Sequence, residues 1–346
     1  MTIPVLTLAS FARIILAAST TVLGRLVPTC KSGRAGVPSL PHRSRVIAVC
    51  FALGIGSTGT SVHAADYTSL YKTPPMAPAP DQNAGPDFMA KWLAMVTATQ
   101  AAQPNWSAPL VTVTPLLTQL YRFDLDFQNR GNGSHIANYG GGKGLEFIPA
   151  YNNEVILGLP PYEELRTAAG KTTNGFGDWP TLLLKTRILS ANAQQGDYIL
   201  TAFVQASAPM GFAAITNNVY VVQPTIAFGK GWGDFDVQAT ISQQYAVEAI
   251  GPPGALGNLG NPFLVNVTLQ YHVLQYLWPE FEFNYTYWPG GTHRDLSQLL
   301  LTPGLVIGRI PLAGRNNLIF GAGYQFAVTD NPVTRNNWVI SARMTF

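Results

Sequence analysis

The last stretch of the chain, Asn316 to Phe346, constrains the fold most. Leu318, Phe320, Ala322, Tyr324, Phe326 and Val328 fall on one face of an extended segment, while Ile319, Gly321, Gly323, Gln325 and Ala327 fall on the other. After the turn residues TDNPVTRNN the same alternation resumes: Trp338, Ile340, Ala342, Met344 and Phe346 alternate with Val339, Ser341, Arg343 and Thr345. A period of two with one broad apolar face is the signature of a strand with a dry side. In a transmembrane barrel that dry side meets lipid and the small or polar side lines the lumen. A final alternating strand that ends on an aromatic residue also resembles the signal read by the outer-membrane insertion machinery, which makes Phe346 the expected contact with it.

Composition agrees with a lipid-facing sheet. Only 11% of residues are charged and 47% are hydrophobic, about half the usual charged share. No run of eighteen apolar residues occurs outside the first 64 positions, so spanning helices do not explain the hydrophobicity. Arg13, Arg25, Lys31, Arg34, Arg43 and Arg45 stand in residues 1–64 without an acidic residue, and the overall charge of +3 therefore belongs to that segment. The remainder is net acidic, which removes the argument for a nucleic-acid partner. Both cysteines, Cys30 and Cys50, lie in the same segment.

Arg43 and Arg45 precede the apolar run VIAVCFALGIG, and SVHAAD follows. That order is the layout of a secretory signal peptide, with cleavage expected after Ala64. The residues before it exceed the length of a leader and point to a start codon assigned too far upstream. Residues 1–64 are thus an N-terminal extension and signal peptide, and 65–103 a proline-rich linker with a short helix from Asp87 to Ala102. The helix is too short to span a bilayer at about 1.5 Å per residue; it is expected either inside the barrel or beneath it.

Residues 104–346 divide into alternating segments at 112–128, 144–150, 153–161, 178–190, 197–208, 218–229, 234–246, 262–275, 279–288, 298–310, 316–328 and 337–346. The links between them alternate in length. Short ones (YNN, ANAQQG, GKGWGD, YLWP, LAGRN) fall on one side and long ones (such as VEAIGPPGALGNLGN) on the other, as in bacterial outer-membrane barrels. The fold class is therefore all-β: a transmembrane antiparallel up-and-down barrel of about twelve strands, its parity depending on the turn at Asn152. Trp179, Tyr198, Tyr220, Phe228, Trp232, Tyr245, Tyr271, Trp278, Tyr287, Trp288 and Trp338 sit near strand ends, where amphipathic rings suit the headgroup level.

The inward faces carry both charge signs among many amides and hydroxyls. Arg122, Asp124, Asp126, Lys185, Arg187, Glu280, Glu282 and Arg343 are the candidate lining of a solute path. The competing expectation is that these charges pair across a narrow interior and brace it. No nucleotide-binding glycine fingerprint follows a strand, the histidines lack metal-ligand spacing, and no cofactor is expected. The enzymatic alternative is a barrel hydrolase using Asp124, Asp126 and His135 near the outer rim of the first hairpin. A third is a structural or adhesive barrel acting through its outer loops.

The segments PLVTVTPLL, NYGGGKGLEFIP, EVILGLPPY, NGFGDWPTLLLKTRIL and LLLTPGLVIGRIPL, with the terminal ARMTF, resemble the outer-membrane family named for the MetA-pathway of phenol degradation. The resemblance spans residues 104 to 346. It implies an outer-membrane barrel that passes small aromatic or hydrophobic compounds, and it brings no catalytic residues. A barrel of this size is narrower than a general porin. The expected function is passive, selective transport of a small-molecule solute across the cell outer membrane, with lipid as the surrounding partner.

Overall fold

Antiparallel pairing runs through the whole wall and returns to its start. The computed structural model describes residues 87–346 except 142, 212–214 and 251–254. The expected signal peptide, its cleavage point and the proline-rich linker lie outside the described residues. A helix, α1 (Phe88–Ala101), comes first. The wall then follows as β1 (Leu120–Arg130), β2 (His135–Tyr139), β3 (Gly144–Ala150), β4 (Asn153–Gly158), β5 (Tyr162–Arg166), β6 (Thr172–Phe176), β7 (Asp178–Ala191), β8 (Tyr198–Pro209), β9 (Val219–Trp232), β10 (Phe235–Gln243), β11 (Tyr245–Ala249), β12 (Phe263–Tyr271), β13 (Leu277–Tyr287), β14 (Ser297–Pro311), β15 (Asn317–Ala327) and β16 (Thr334–Thr345).

These sixteen strands make twelve staves. Both β2 and β3 pair with β1, at its upper and lower halves. Above and below the same level, β5 continues β4, β6 leads into β7, and β10 and β11 both pair with β9. The last stave pairs with the first from Leu120↔Thr345 to Arg130↔Thr334, which closes the barrel. Closure removes the edge between the first and last staves, as strands that cross lipid require; at the outer end β6 and β11 pair on one side only, with β5 and β9. The even strand count, the short turns at one end and the longer links at the other are those of an outer-membrane barrel. The short-turn end is then the periplasmic one.

Tyr121, Phe123, Phe127, Leu184, Ile188, Phe320, Trp338 and Ile340 are exposed on the outer face, while Arg122, Asp124, Lys185, Ser341 and Arg343, which alternate with several of them, are buried inside. One aromatic row crosses six staves at a single level. Tyr324 lies opposite Trp338 and Trp338 opposite Phe127; Phe127 packs edge-on against Tyr139, and Tyr162 against Phe176, with Tyr139 opposite Tyr162. At the short-turn end Trp232 stacks on Phe235, near exposed Tyr198 and Tyr271. Rings at those two levels fit the two headgroup regions. Trp278 is a correction: it turns inward, stacks on His272 and joins a buried cluster with Trp106, Leu110 and Val306, because its position shares the inward parity of Glu280 and Glu282.

A second correction concerns the first strand. It begins at Leu120 and not at residue 112. Leu120 is already opposite Thr345, so residues 112–118 would run past the end of the partner strand, and Pro115 could not donate to a ladder. They go elsewhere. Helix α1 lies at the periplasmic mouth, where Trp92 Nε1 donates to Ile148 O (2.8 Å), Arg187 Nη1 to Thr99 O (2.8 Å) and Ser190 Oγ to Ala102 O (2.6 Å). Arg315, from the β14–β15 turn, donates to Leu93 O (3.3 Å). Val96, buried with Leu117 and Ile148, anchors its inner face.

On the β4–β7 contact the two backbones touch. A Cβ added at Gly158 would run into the carbonyl of Pro180. Gly158→Val is therefore expected to cost about 1–3 kcal/mol or more through overpacking and to reduce the heat-modifiable folded band in gel electrophoresis. An unchanged band intensity would count against this contact.

Candidate functional site

The chain between α1 and β1, residues 103–119, forms neither helix nor strand and runs through the barrel interior. Its backbone polar groups are dry and still need partners, since an unpaired buried amide is costly. The wall side chains supply them. Leu110 N–H donates to Glu280 Oε1 (3.0 Å), Val111 N–H to Glu282 Oε1 (2.7 Å), and Thr112 N–H and Oγ1 to Glu282 Oε2 (2.7 and 2.5 Å). Thr118 N–H donates to Glu154 Oε2 (2.7 Å).

The carbonyls are met in the same way. Arg122 donates to Pro109 O (3.0 Å) and Leu110 O, Arg343 to Ala108 O and to Pro109 O (2.9 Å), and Lys185 to Leu116 O (2.9 Å). Gln238 Nε2 reaches Ser107 O (2.8 Å). Inside the segment itself, Gln103 clamps Leu117 through both its amide nitrogen and its amide oxygen (2.8 and 3.0 Å). The charges are further held by one another. Lys185 pairs with Glu154 (3.1 Å) and Arg122 with Asp124 (2.8 Å), while Arg343 Nε is tied to Ser341 Oγ (2.9 Å).

Shape matches as well as charge. Cβ atoms at Gly304, Gly321 and Gly323 would come within 2.5–2.8 Å of the Leu110 methyl carbons, so these three glycines form its socket. Gly229 and Gly231 make room for Trp106 in the same manner. The Trp106 indole N–H also donates to Asp197 Oδ2 (3.2 Å) in a periplasmic turn; burial raises the Asp197 carboxyl above its ordinary range, and the indole bond and Lys230 draw it back down. Between segment and wall, beside Ala108, Arg122, Lys143 and Arg343, a void of about 10 Å³ remains, roughly one water. A second void of about 20 Å³ lies beside Val113, Lys143 and Gln205, and the segment occupies the lumen at this level.

The eight candidate residues all face inward, but they do not act as one ring. Arg122, Arg343, Glu280 and Glu282 grip residues 108–112, Lys185 grips residue 116, and Arg187 sits lower, on Thr99 O and Tyr151 O (2.8 and 2.9 Å). Asp124 backs Arg122, and Asp126 accepts from Asn337 (2.8 Å) nearer the outer end. Glu146, Glu154, Trp106, Leu110 and the socket glycines belong to the same site and were missed from sequence. Glu154 shares its face with Ile156, a parity that could have revealed it. The Asp/His pair of the hydrolase alternative has other partners: both Asp124 oxygens accept from Arg122, and His135 bonds Asn129.

No protein-family model and no curated protein matches this sequence. Among solved structures, the chain is similar to the COG4313 outer membrane channel from Pseudomonas putida F1, at 15% identity and a TM-score of 0.45 over 65% of this chain and 92% of that one. It is similar to the KdgM porin at 8% identity and a TM-score of 0.37, over 65% and 99% of the two chains. The translocator domain of the autotransporter NalP from Neisseria meningitidis matches at 11% identity and a TM-score of 0.34, over 65% and 85%.

The grip can be loosened from either side. Both native cysteines precede residue 51, so Ser107→Cys places a single thiol in the barrel on the buried segment. Gly321→Val, which fills the Leu110 socket, is expected to raise its maleimide reaction rate about tenfold or more, as a destabilisation of about 1–3 kcal/mol requires. Glu282→Ala, which strands two backbone N–H groups, should act in the same direction. Equal labelling rates in all three backgrounds would show that the segment is not held by these contacts.

Proposed function

We propose that this protein is an outer-membrane channel for passive transport of small solutes, held shut in this structure by its own residues 103–119. One observation carries the reading: the interior segment is bound by side chains to backbone, outside the wall ladder. The barrel closes through β1 and β16 without it, so residues 103–118 can leave while every strand-to-strand hydrogen bond stays made; Gln119, whose carbonyl accepts from the Phe346 N–H, stays with the wall. The groups it would uncover are carboxylates, guanidiniums and an ammonium, which water solvates well. Each contact contributes net only about 1.5–3 kcal/mol even when charged, because water replaces what is lost.

Arg122, Asp124, Asp126, Lys185, Arg187, Glu280, Glu282 and Arg343 then line the solute path once the segment has moved. Towards the outer end the lining continues as neutral amides, including Gln205, Gln223, Asn266 and Gln325. The resemblance to the phenol-degradation family supports small aromatic or hydrophobic compounds as the solutes, and passage down a gradient accounts for the transport.

Planar-bilayer recording tests this. The chain from residue 65 onward should show small or brief openings, and the same chain lacking 104–118 a several-fold larger and steadier conductance. If the shortened barrel folds, shifts with heat on a gel and still passes no current, the protein acts through its loops or its wall and not as a channel.

A further inference from the structure

We propose that the place now taken by Ala108–Thr112 is a solute site for a small monocarboxylate that bears a hydroxyl at its far end and an apolar body between. This rests on the channel reading, since the segment must withdraw before a solute can enter. The segment's own atoms stand in for that solute. Its carbonyls at 108, 109 and 110 lie on the guanidiniums of Arg122 and Arg343, and its N–H groups at 110, 111 and 112 lie on the carboxylates of Glu280 and Glu282. Between the two, the Leu110 side chain fills the glycine socket.

The order around the wall gives the site its direction. Glu280 and Glu282 stand on β13, the socket glycines on β14 and β15, Arg343 on β16 and Arg122 on β1, five adjacent staves. All four charged side chains are more than nine-tenths buried. Two guanidiniums held by Asp124 and Ser341 with their terminal nitrogens turned inward suit a carboxylate, which can accept from both. Two carboxylates can only accept, so what faces them must donate. Along the segment the acceptor carbonyls of 108–110 precede the donor N–H groups of 110–112, and the chain bends at 110–112. On the wall the guanidiniums (β16, β1) and the carboxylates (β13) flank the Leu110 socket (β14, β15), an order that fits a carboxylate and a hydroxyl at opposite ends of an apolar body. A solute without the hydroxyl leaves Glu280 and Glu282 facing an apolar edge, and a site built around a hydrogen bond discriminates strongly against such an analogue.

Initial uptake rates into proteoliposomes carrying the full barrel, corrected for protein-free liposomes, test the site. The probes are 4-hydroxybenzoate, 4-methoxybenzoate, benzoate and arabinose as a neutral solute. The hydroxy acid should enter about tenfold faster than the other two acids at low concentration, one charge-assisted hydrogen bond's worth, and its rate should saturate. Glu282→Gln should bring the ratio among the acids towards one, and Arg343→Gln should slow all three acids relative to arabinose. Equal, unsaturated rates for the three acids in the wild-type barrel, with arabinose also entering, would overturn the site and leave the channel reading standing. No uptake of any probe, arabinose included, would overturn the channel reading and this site with it.

Discussion

A backbone inside a barrel but outside its wall has no ladder to join, and that constraint shapes the whole interior. Each N–H and C=O of residues 107–118 that is shielded from water needs a partner. The strands cannot provide backbone, because their own groups are spent on closure. The partners must be side chains, and they must be long and strongly polar to reach the axis: Arg122, Arg343, Lys185, Glu280, Glu282 and Glu154. The unusual density of buried charge follows from there. Isolated in a narrow barrel these groups would be expensive to desolvate, yet around a peptide segment each finds complementary atoms.

The wall was legible in the sequence because lipid imposes a strict period of two. The number of staves and the turn at Asn152 appear as expected, although the first stave begins at Leu120 and β2, β5 and β6 extend the wall into stretches expected to be links, and the inward parity of Arg122, Lys185, Glu282 and Arg343 follows from alternation alone. The interior segment was not legible as such. Val111, Thr112, Val113 and Thr114 alternate like a strand, and alternation says nothing of whether a pairing partner exists. The missing information is register: only the pairing of Leu120 with Thr345 shows that the wall runs out before residue 112 is reached. The same gap hid the meaning of Gly321 and Gly323. Their place on the small face was plain, but a glycine in a strand reads equally as an opening onto solvent or as room for another side chain.

The breaks at Gly140 and Gly141 and at residues 159–161 have a related origin. Glycines and prolines interrupt the ladder at one level across neighbouring staves, and a close backbone approach, Gly158 against Pro180, lies along that line. Local chemistry marks the breaks clearly, since proline cannot donate to a ladder. What it cannot show is that they line up, because alignment across strands is again a matter of register.

Charge and shape contribute differently to the closed state, and the difference bears on how it could open. The glycine sockets favour only the bound segment: Leu110 and Trp106 lose burial on leaving, and nothing in an empty socket compensates. The charged groups are nearly indifferent, since water or a polar solute can take over from backbone amides. A lumen closed by an apolar core would be shut permanently, and one closed by charge alone would leak. With two large apolar anchors among six charged grips, the closed state is favoured by an amount that a competing ligand with both features could offset. The same argument explains why the contacts fall on the segment's backbone. Side-chain identity in residues 108–112 then matters at Leu110, which a socket reads, and at Thr112, whose Oγ1 donates to Glu282; the rest of the site recognises a pattern of donors and acceptors that a small molecule can carry.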